Sequence, residues 1–115
     1  MKTPPFDNLT RLVMTLPTSH LAKYNPLTDR ERWRRIQVAV AAYAYECMSD
    51  PIMSDDEFDN LCGEIDVTID TGNRIMDKWF RAEFSPHTGL WVHRHPNKEG
   101  LHRIYLLRVK VRDNH

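Results

Sequence analysis

The stretch DPIMSDDEFDNL, residues 50–61, carries five carboxylates in twelve positions. Asp55 and Asp59 are four apart, so on a helix beginning near Ser54 they lie on one face, on successive turns. Tyr45 and Glu46 precede them, and Phe58 sits between them. These residue types point to binding chemistry. Carboxylates accept hydrogen bonds from hydroxyls and oppose positive charge, and aromatic faces stack on cationic rings. Acid–base catalysis would fall to Glu46 or Asp59, but the sequence names no second chemical partner for either. The same carboxylates also start a helix well. Ser54 and Glu57 form a capping box, and acidic residues in a first turn meet the positive end of the helix dipole. That gain is of the same size as the repulsion between like charges four apart, a few tenths of a kcal/mol.

Other candidate sites are weaker. His93 and His95, flanked by His87 and His102, could aim two imidazoles at one metal, but no cysteine or carboxylate follows at ligand-like spacing, so a polar loop is the reading. "HTG" and "DTGN" are turn and cap sequences without the spacing of a phosphate loop. Neither Ser54 nor Ser85 has an identifiable base. Cys47 and Cys62 fall inside helix-like apolar patterns, which predicts buried, reduced thiols and no disulfide. In RERWRR, residues 30–35, Trp33 is expected to start a buried stripe and the arginines to pair with the acidic block, so nucleic acid is not the expected partner.

A chain of 115 residues fits one domain with a real core. Lys plus Arg and Asp plus Glu number 16 each, so net charge gives no general pull toward nucleic acid or an acidic membrane. The distribution is striped. Residues 36–73 hold nine acidic and no basic side chains, whereas residues 74–115 hold nine basic and four acidic ones. No apolar run is long enough to span a membrane, and MKTPPFDNLTR lacks the apolar core of a signal peptide, so a cytoplasmic protein is expected.

The elements that must position these residues read as mainly α: a small single-domain bundle of four to five helices. Leu9, Leu12, Val13 and Leu16 predict a helix over 6–16, followed by a connector over 17–28. Thr28 with Glu31 predicts a capping box opening the longest helix, about 29–48, apolar nearly all round from Ile36 onward. Pro51 stops it. Phe58, Leu61, Cys62, Ile65 and Ile69 form the stripe of the next helix, in which Gly63 marks a close helix crossing or early fraying. Asp70 or Thr71 caps a helix through about residue 84 that buries Ile75, Met76, Trp79 and Phe80. A short irregular or extended segment follows near 85–97. Residues 101–111 suit a helix better than an edge strand.

The segment YAYECMSDPIMSDDEFDNL, residues 43–61, resembles the small N-terminal helical subdomain of bacterial NAD-dependent DNA ligases. There an aromatic-rich helix, a proline turn and an "SDxEYDxL"-type helix bind the nicotinamide mononucleotide half of NAD. The resemblance makes residues 29–66 a ligase-subdomain-like helix-turn-helix core, and it puts Tyr45, Asp55 and Asp59 on residues that contact the nucleotide. Glu46 stands where that family has a histidine, and Phe58 where it has a tyrosine. The "KxDG"-like motif with its nucleophilic lysine is missing, so the chain is not a complete ligase. The pattern, including TGNRIMDKWFRAEFSPHTGLWVHRHP, looks more like small stand-alone ligase-related proteins of bacteriophages.

That resemblance implies a non-catalytic accessory protein of the host bacterial cytoplasm, with no required cofactor. Its ligand would be nicotinamide mononucleotide or NAD, held by Tyr45, Glu46, Asp55, Phe58 and Asp59. Charge alone gives a rival reading: an acidic surface from Glu46 to Asp66 that binds a basic host or phage protein as a nucleic-acid mimic. Hydrolysis or transfer on a nicotinamide nucleotide is a third, more distant reading.

Overall fold

Asn25 and Pro26 begin the longest helix. The Asn25 side chain accepts from the Leu27 N–H at 2.9 Å, and Pro26 occupies the first turn, where its missing N–H costs no hydrogen bond. The computed structural model of the chain describes residues 25–114. In these the elements are α1 (Pro26–Met48), α2 (Asp55–Glu64), α3 (Arg74–Glu83), a 3-10 turn (Leu90–Arg94) and α4 (Lys98–Asp113). The protein is thus a mainly helical bundle, with four α-helices among the described residues. The helix expected over 6–16 lies outside them. No helix among the described residues is long and apolar enough to cross a membrane.

The start of α1 corrects the sequence reading. Thr28 and Glu31 form no capping box, because the Asn25–Pro26 pair already opens the helix and Glu31 turns inward to a buried ion pair. From Val38 to Ala44 the helix is buried nearly all round: Val38, Ala39, Val40, Ala41, Ala42 and Ala44 are each at most 3 % exposed. Small side chains there let α4, the 3-10 turn and α2 approach closely, bringing Leu101, Tyr105, Trp91, Val92 and Cys62 into one core with Phe80 of α3. Ser49 then adopts the left-handed conformation, φ 51°, and the N–H groups of Ser49 and Asp50 both donate to the Ala44 carbonyl. The turn is tied to α4 by Asp50, which accepts from the Tyr105 hydroxyl at 2.7 Å and from Arg112 at 2.9 Å.

The capping box predicted at Ser54 is present. Ser54 Oγ accepts from the Glu57 N–H at 3.1 Å, and Glu57 accepts from the Ser54 N–H at 3.0 Å, which holds the Glu57 carboxyl below its usual range. Such caps are worth about 1 kcal/mol. α2 stops at Glu64, one residue after Gly63, and a side chain built at Gly63 would meet open space. Gly63 therefore marks early termination, not a helix crossing. Beyond it Ile65, Val67 and Ile69 pack inward on alternate residues of a loop.

The cap of α3 is Asn73, whose side chain accepts from the Met76 N–H, and neither Asp70 nor Thr71 serves. Thr71 is drawn into the interior instead, where its hydroxyl donates to Asp77. Starting the helix at Arg74 turns Ile75 outward, 72 % exposed, against expectation. Trp33 is also on the surface, 60 % exposed, and does not begin a buried stripe. The anchor between α1 and α3 in that region is Arg35. Residues 101–111 are helical, within α4.

Candidate functional site

α1 ends and α2 begins around the turn at residues 49–54, and between them lies a cleft of about 240 Å³. Tyr45 and Glu46 enter it from the last turn of α1, while Asp55, Phe58 and Asp59 enter from the first turns of α2, spaced so that all three share a face. All five side chains singled out in the sequence therefore line one cleft. Its floor is Ala41 and Ala42, and its third wall is the turn at His87, Thr88 and Gly89. That wall was not foreseen, since its residues are distant in sequence. The signal for it is Gly89: a Cβ there would sit 3.2 Å from the Ala42 Cβ and 3.5 Å from the Phe58 ring, so the missing side chain lets the turn close on α1 and α2.

Tyr45 is 58 % exposed, Phe58 is half-buried, and Asp55 and Asp59 are open to solvent. Asp55, Asp56 and Asp59 make no ion pair with any described cation. Glu46 is more sheltered and faces His93 Nε2 at 3.6 Å, and His93 Nδ1 in turn lies 4.0 Å from Cys47 Sγ. The cleft thus offers two ring faces and three carboxylates, with His87 as its one basic lining residue. Such a wall favours a cationic or hydroxyl-rich group and disfavours an exposed anion.

Both thiols are free, yet only Cys62 is buried as expected. Burial, reinforced by the Asp59 charge, pushes its thiol up to about 11. Cys47 is exposed, because it falls on the outer side of the last turn of α1. Its pKa is raised by partial burial, with the Glu46 charge adding to the shift and Lys98 opposing it, which is the opposite of nucleophile activation.

Of the arginines of the 30–35 run, only Arg34 forms an ion pair with the acidic block among the described residues; Arg32 pairs with Asp29, and Arg35 with Glu31 and Asp77, all outside that block. Arg34 reaches Glu64 at 3.7 Å, and Arg35 enters the interior between Glu31 and Asp77. The four histidines near residues 87–102 diverge. His87 faces the cleft, His93 faces Glu46, and His102 Nδ1 meets the Tyr43 hydroxyl at 2.8 Å. No His, Cys, Asp or Glu cluster among the described residues has the geometry to hold a metal.

His95 is buried under Trp79, with ring centroids 5.0 Å apart, and its Nδ1 accepts from the Asn97 N–H at 3.0 Å. Burial, helped by the Lys98 charge, lowers its pKa to about 4. The ordinary value is about 6.5. The unfolded chain therefore binds the extra proton first, and stability is full above pH 6.5 and falls as pH drops toward 4. The slope approaches about 1.4 kcal/mol per pH unit in mid-window. Urea unfolding across this range should show that slope in the parent and a flatter one in His95→Gln; equal slopes would remove His95 as the cause.

Compared with known protein families, curated proteins and solved structures, the chain matches none.

Proposed function

We propose that the protein is a non-catalytic, phage-type accessory protein that acts by binding, and that the cleft between α1 and α2 takes the nicotinamide–ribose part of a nicotinamide nucleotide. The observation that carries this reading is the convergence of Tyr45, Glu46, Asp55, Phe58 and Asp59 on one cleft. Oxidised nicotinamide is a cationic ring, matched by the Tyr45 and Phe58 rings and by carboxylates without ion-pair partners among the described residues. Asp55 and Asp59, exposed at the mouth, suit ribose hydroxyls. Phe58 lacks the hydroxyl of the tyrosine in the resembling family, which removes one hydrogen bond worth about 1 kcal/mol net. The nucleotide phosphate has to stay clear of the carboxylate wall.

A second reading rests on the same unpaired carboxylates. The exposed face of α2, with Asp55, Asp56, Glu57 and Asp59 in one short helix, suits a basic protein surface that normally binds nucleic acid.

Titration of isotope-labelled protein with nicotinamide mononucleotide at two salt concentrations separates the two. The nucleotide reading expects saturable backbone shifts at Tyr45, Asp55, Phe58 and Asp59 below about 1 mM ligand, weakened little by salt. Absence of saturation sinks it. The mimic reading then predicts capture of a basic protein partner whose affinity falls steeply as ionic strength rises.

A further inference from the structure

A second cavity, of about 300 Å³, opens between α1, α3 and α4 and shares no residue with the cleft. Its walls are apolar: Ile36 and Ala39 from α1, Met76 and Phe80 from α3, and Leu101 and Ile104 from α4. Ile36 remains 39 % exposed, so the cavity is open to solvent on the α1 side.

The polar groups around it are nearly all donors. His95 is only 8 % exposed, and because its Nδ1 accepts from the Asn97 N–H, its proton sits on Nε2. That Nε2–H meets no acceptor among the described residues. Because the ring lines the cavity, this donor is free to give its hydrogen bond to whatever occupies it. Asn73 and Asn97 add donors from the solvent-exposed rim. Their side-chain oxygens accept from the Met76 and Gly100 N–H groups, which leaves each NH2 without an acceptor among the described residues. The nearby acceptors are already used: the Thr71 carbonyl accepts from Arg32, and Asp77 from Thr71 and Arg35.

We propose that this cavity binds a small amphipathic monocarboxylate, its apolar body among Ile36, Phe80 and Ile104 and its carboxylate at the His95, Asn73 and Asn97 N–H groups. At about 30 Å³ per water-sized unit the volume holds a body of about ten non-hydrogen atoms. The terminal group is a carboxylate because hydrogen bonds to an ionised acceptor are about twice as strong as neutral ones, and the Arg32 guanidinium stands at the same rim.

Octanoate and octylamine are the probes, titrated into the full-length chain with isotope-labelled methyl groups. Octanoate is expected to saturate with a Kd of about 1 mM or below and to shift the Ile36 and Ile104 methyls. Octylamine, with the same chain and the opposite head charge, is expected to bind at least tenfold more weakly. His95→Phe keeps the ring and removes the donor, and should weaken octanoate about fivefold with the methyl spectrum otherwise folded. The proposal is overturned if no saturable shift appears at those methyls, or if octylamine binds as well as octanoate. It also fails if the ligand-free protein shows nuclear Overhauser contacts from those methyls to Leu9, Leu12 or Leu16, since the chain's own first residues would then fill the cavity. None of these outcomes bears on Tyr45, Asp55, Phe58 or Asp59, so the nucleotide reading stands or falls separately.

Discussion

Replacing Arg35 with methionine is expected to lower the unfolding free energy by about 3–5 kcal/mol, the loss typical of removing one partner from a buried ionic cluster. Arg35 is 4 % exposed, and every arm of its guanidinium is committed. Nε donates to Glu31 at 2.8 Å, Nη1 to Asp77 at 2.7 Å, and Nη2 to the carbonyls of Asp66 and Ile69 at 2.8 and 3.1 Å. The guanidinium carbon also lies 5.3 Å from the centre of the Phe80 ring. One side chain thus fastens α1 to the loop after α2 and to α3. Without it, two buried carboxylates face each other's field uncompensated. Glu31 is already short of partners: its Oε1 is buried without a hydrogen bond, and Arg34 comes no nearer than 3.9 Å. Burial works to raise the Asp77 carboxyl, but the Thr71 and Arg35 hydrogen bonds outweigh it and hold it below the ordinary range. Lysine cannot replace the planar fork, so Arg35→Lys should recover little. Removing a carboxylate as well should help, and Glu31→Gln in the Arg35→Met background is expected to regain part of the loss. Urea unfolding of the parent and the three variants measures this; a loss below about 1 kcal/mol for Arg35→Met would show that the cluster is not an anchor.

What the sequence disclosed follows a physical line. The start of α2 was legible because its signals are local: a serine and a glutamate three apart, then Phe58, Leu61 and Cys62 at helical spacing, whereas Ile65 and Ile69 of the expected stripe fall in the loop beyond Glu64. The same logic misplaced the start of α1. Thr28 and Glu31 carry the same local pattern, but Glu31 is claimed by Arg35 and by the Asp66 N–H, and the loop supplying that N–H is 35 residues away. Asp77 was equally hidden, since nothing within α3 shows that Thr71 and Arg35 enclose it. Trp33 and Trp91 show the limit from the other side. Trp33, expected to begin a buried stripe, is 60 % exposed, whereas Trp91 is 1 % exposed, because exposure depends on which helices arrive. At the candidate site the α1 and α2 walls were legible as one contiguous segment. The 87–89 wall was not, because only the folded chain brings Gly89 against Ala42.

Trp91→Ala is expected to destabilise the fold by about 3–5 kcal/mol, in the range for deleting a fully buried aromatic side chain. The ring packs between Trp79, Phe80 and Phe84, with centroids 5.9, 6.1 and 5.2 Å away. Its larger interest lies in the indole N–H, which donates to the carbonyls of Ser85 at 3.2 Å and Thr88 at 2.5 Å. Those two bonds hold the turn whose next residues close the cleft over Ala42 and Phe58. Trp91→Phe separates the two roles. It keeps an aromatic filling and removes the donor, so the stability loss should be smaller, about 1–2 kcal/mol, and the structural change should centre on the turn. Backbone shifts at His87, Thr88 and Gly89 and weakened nicotinamide mononucleotide binding are the expected readouts, with the 98–113 helix unchanged. If Trp91→Phe leaves those three amides in place, the turn is held by packing alone, and the indole has no part in shaping the cleft. The alanine variant cannot make this distinction, because loss of the core and loss of the turn would occur together.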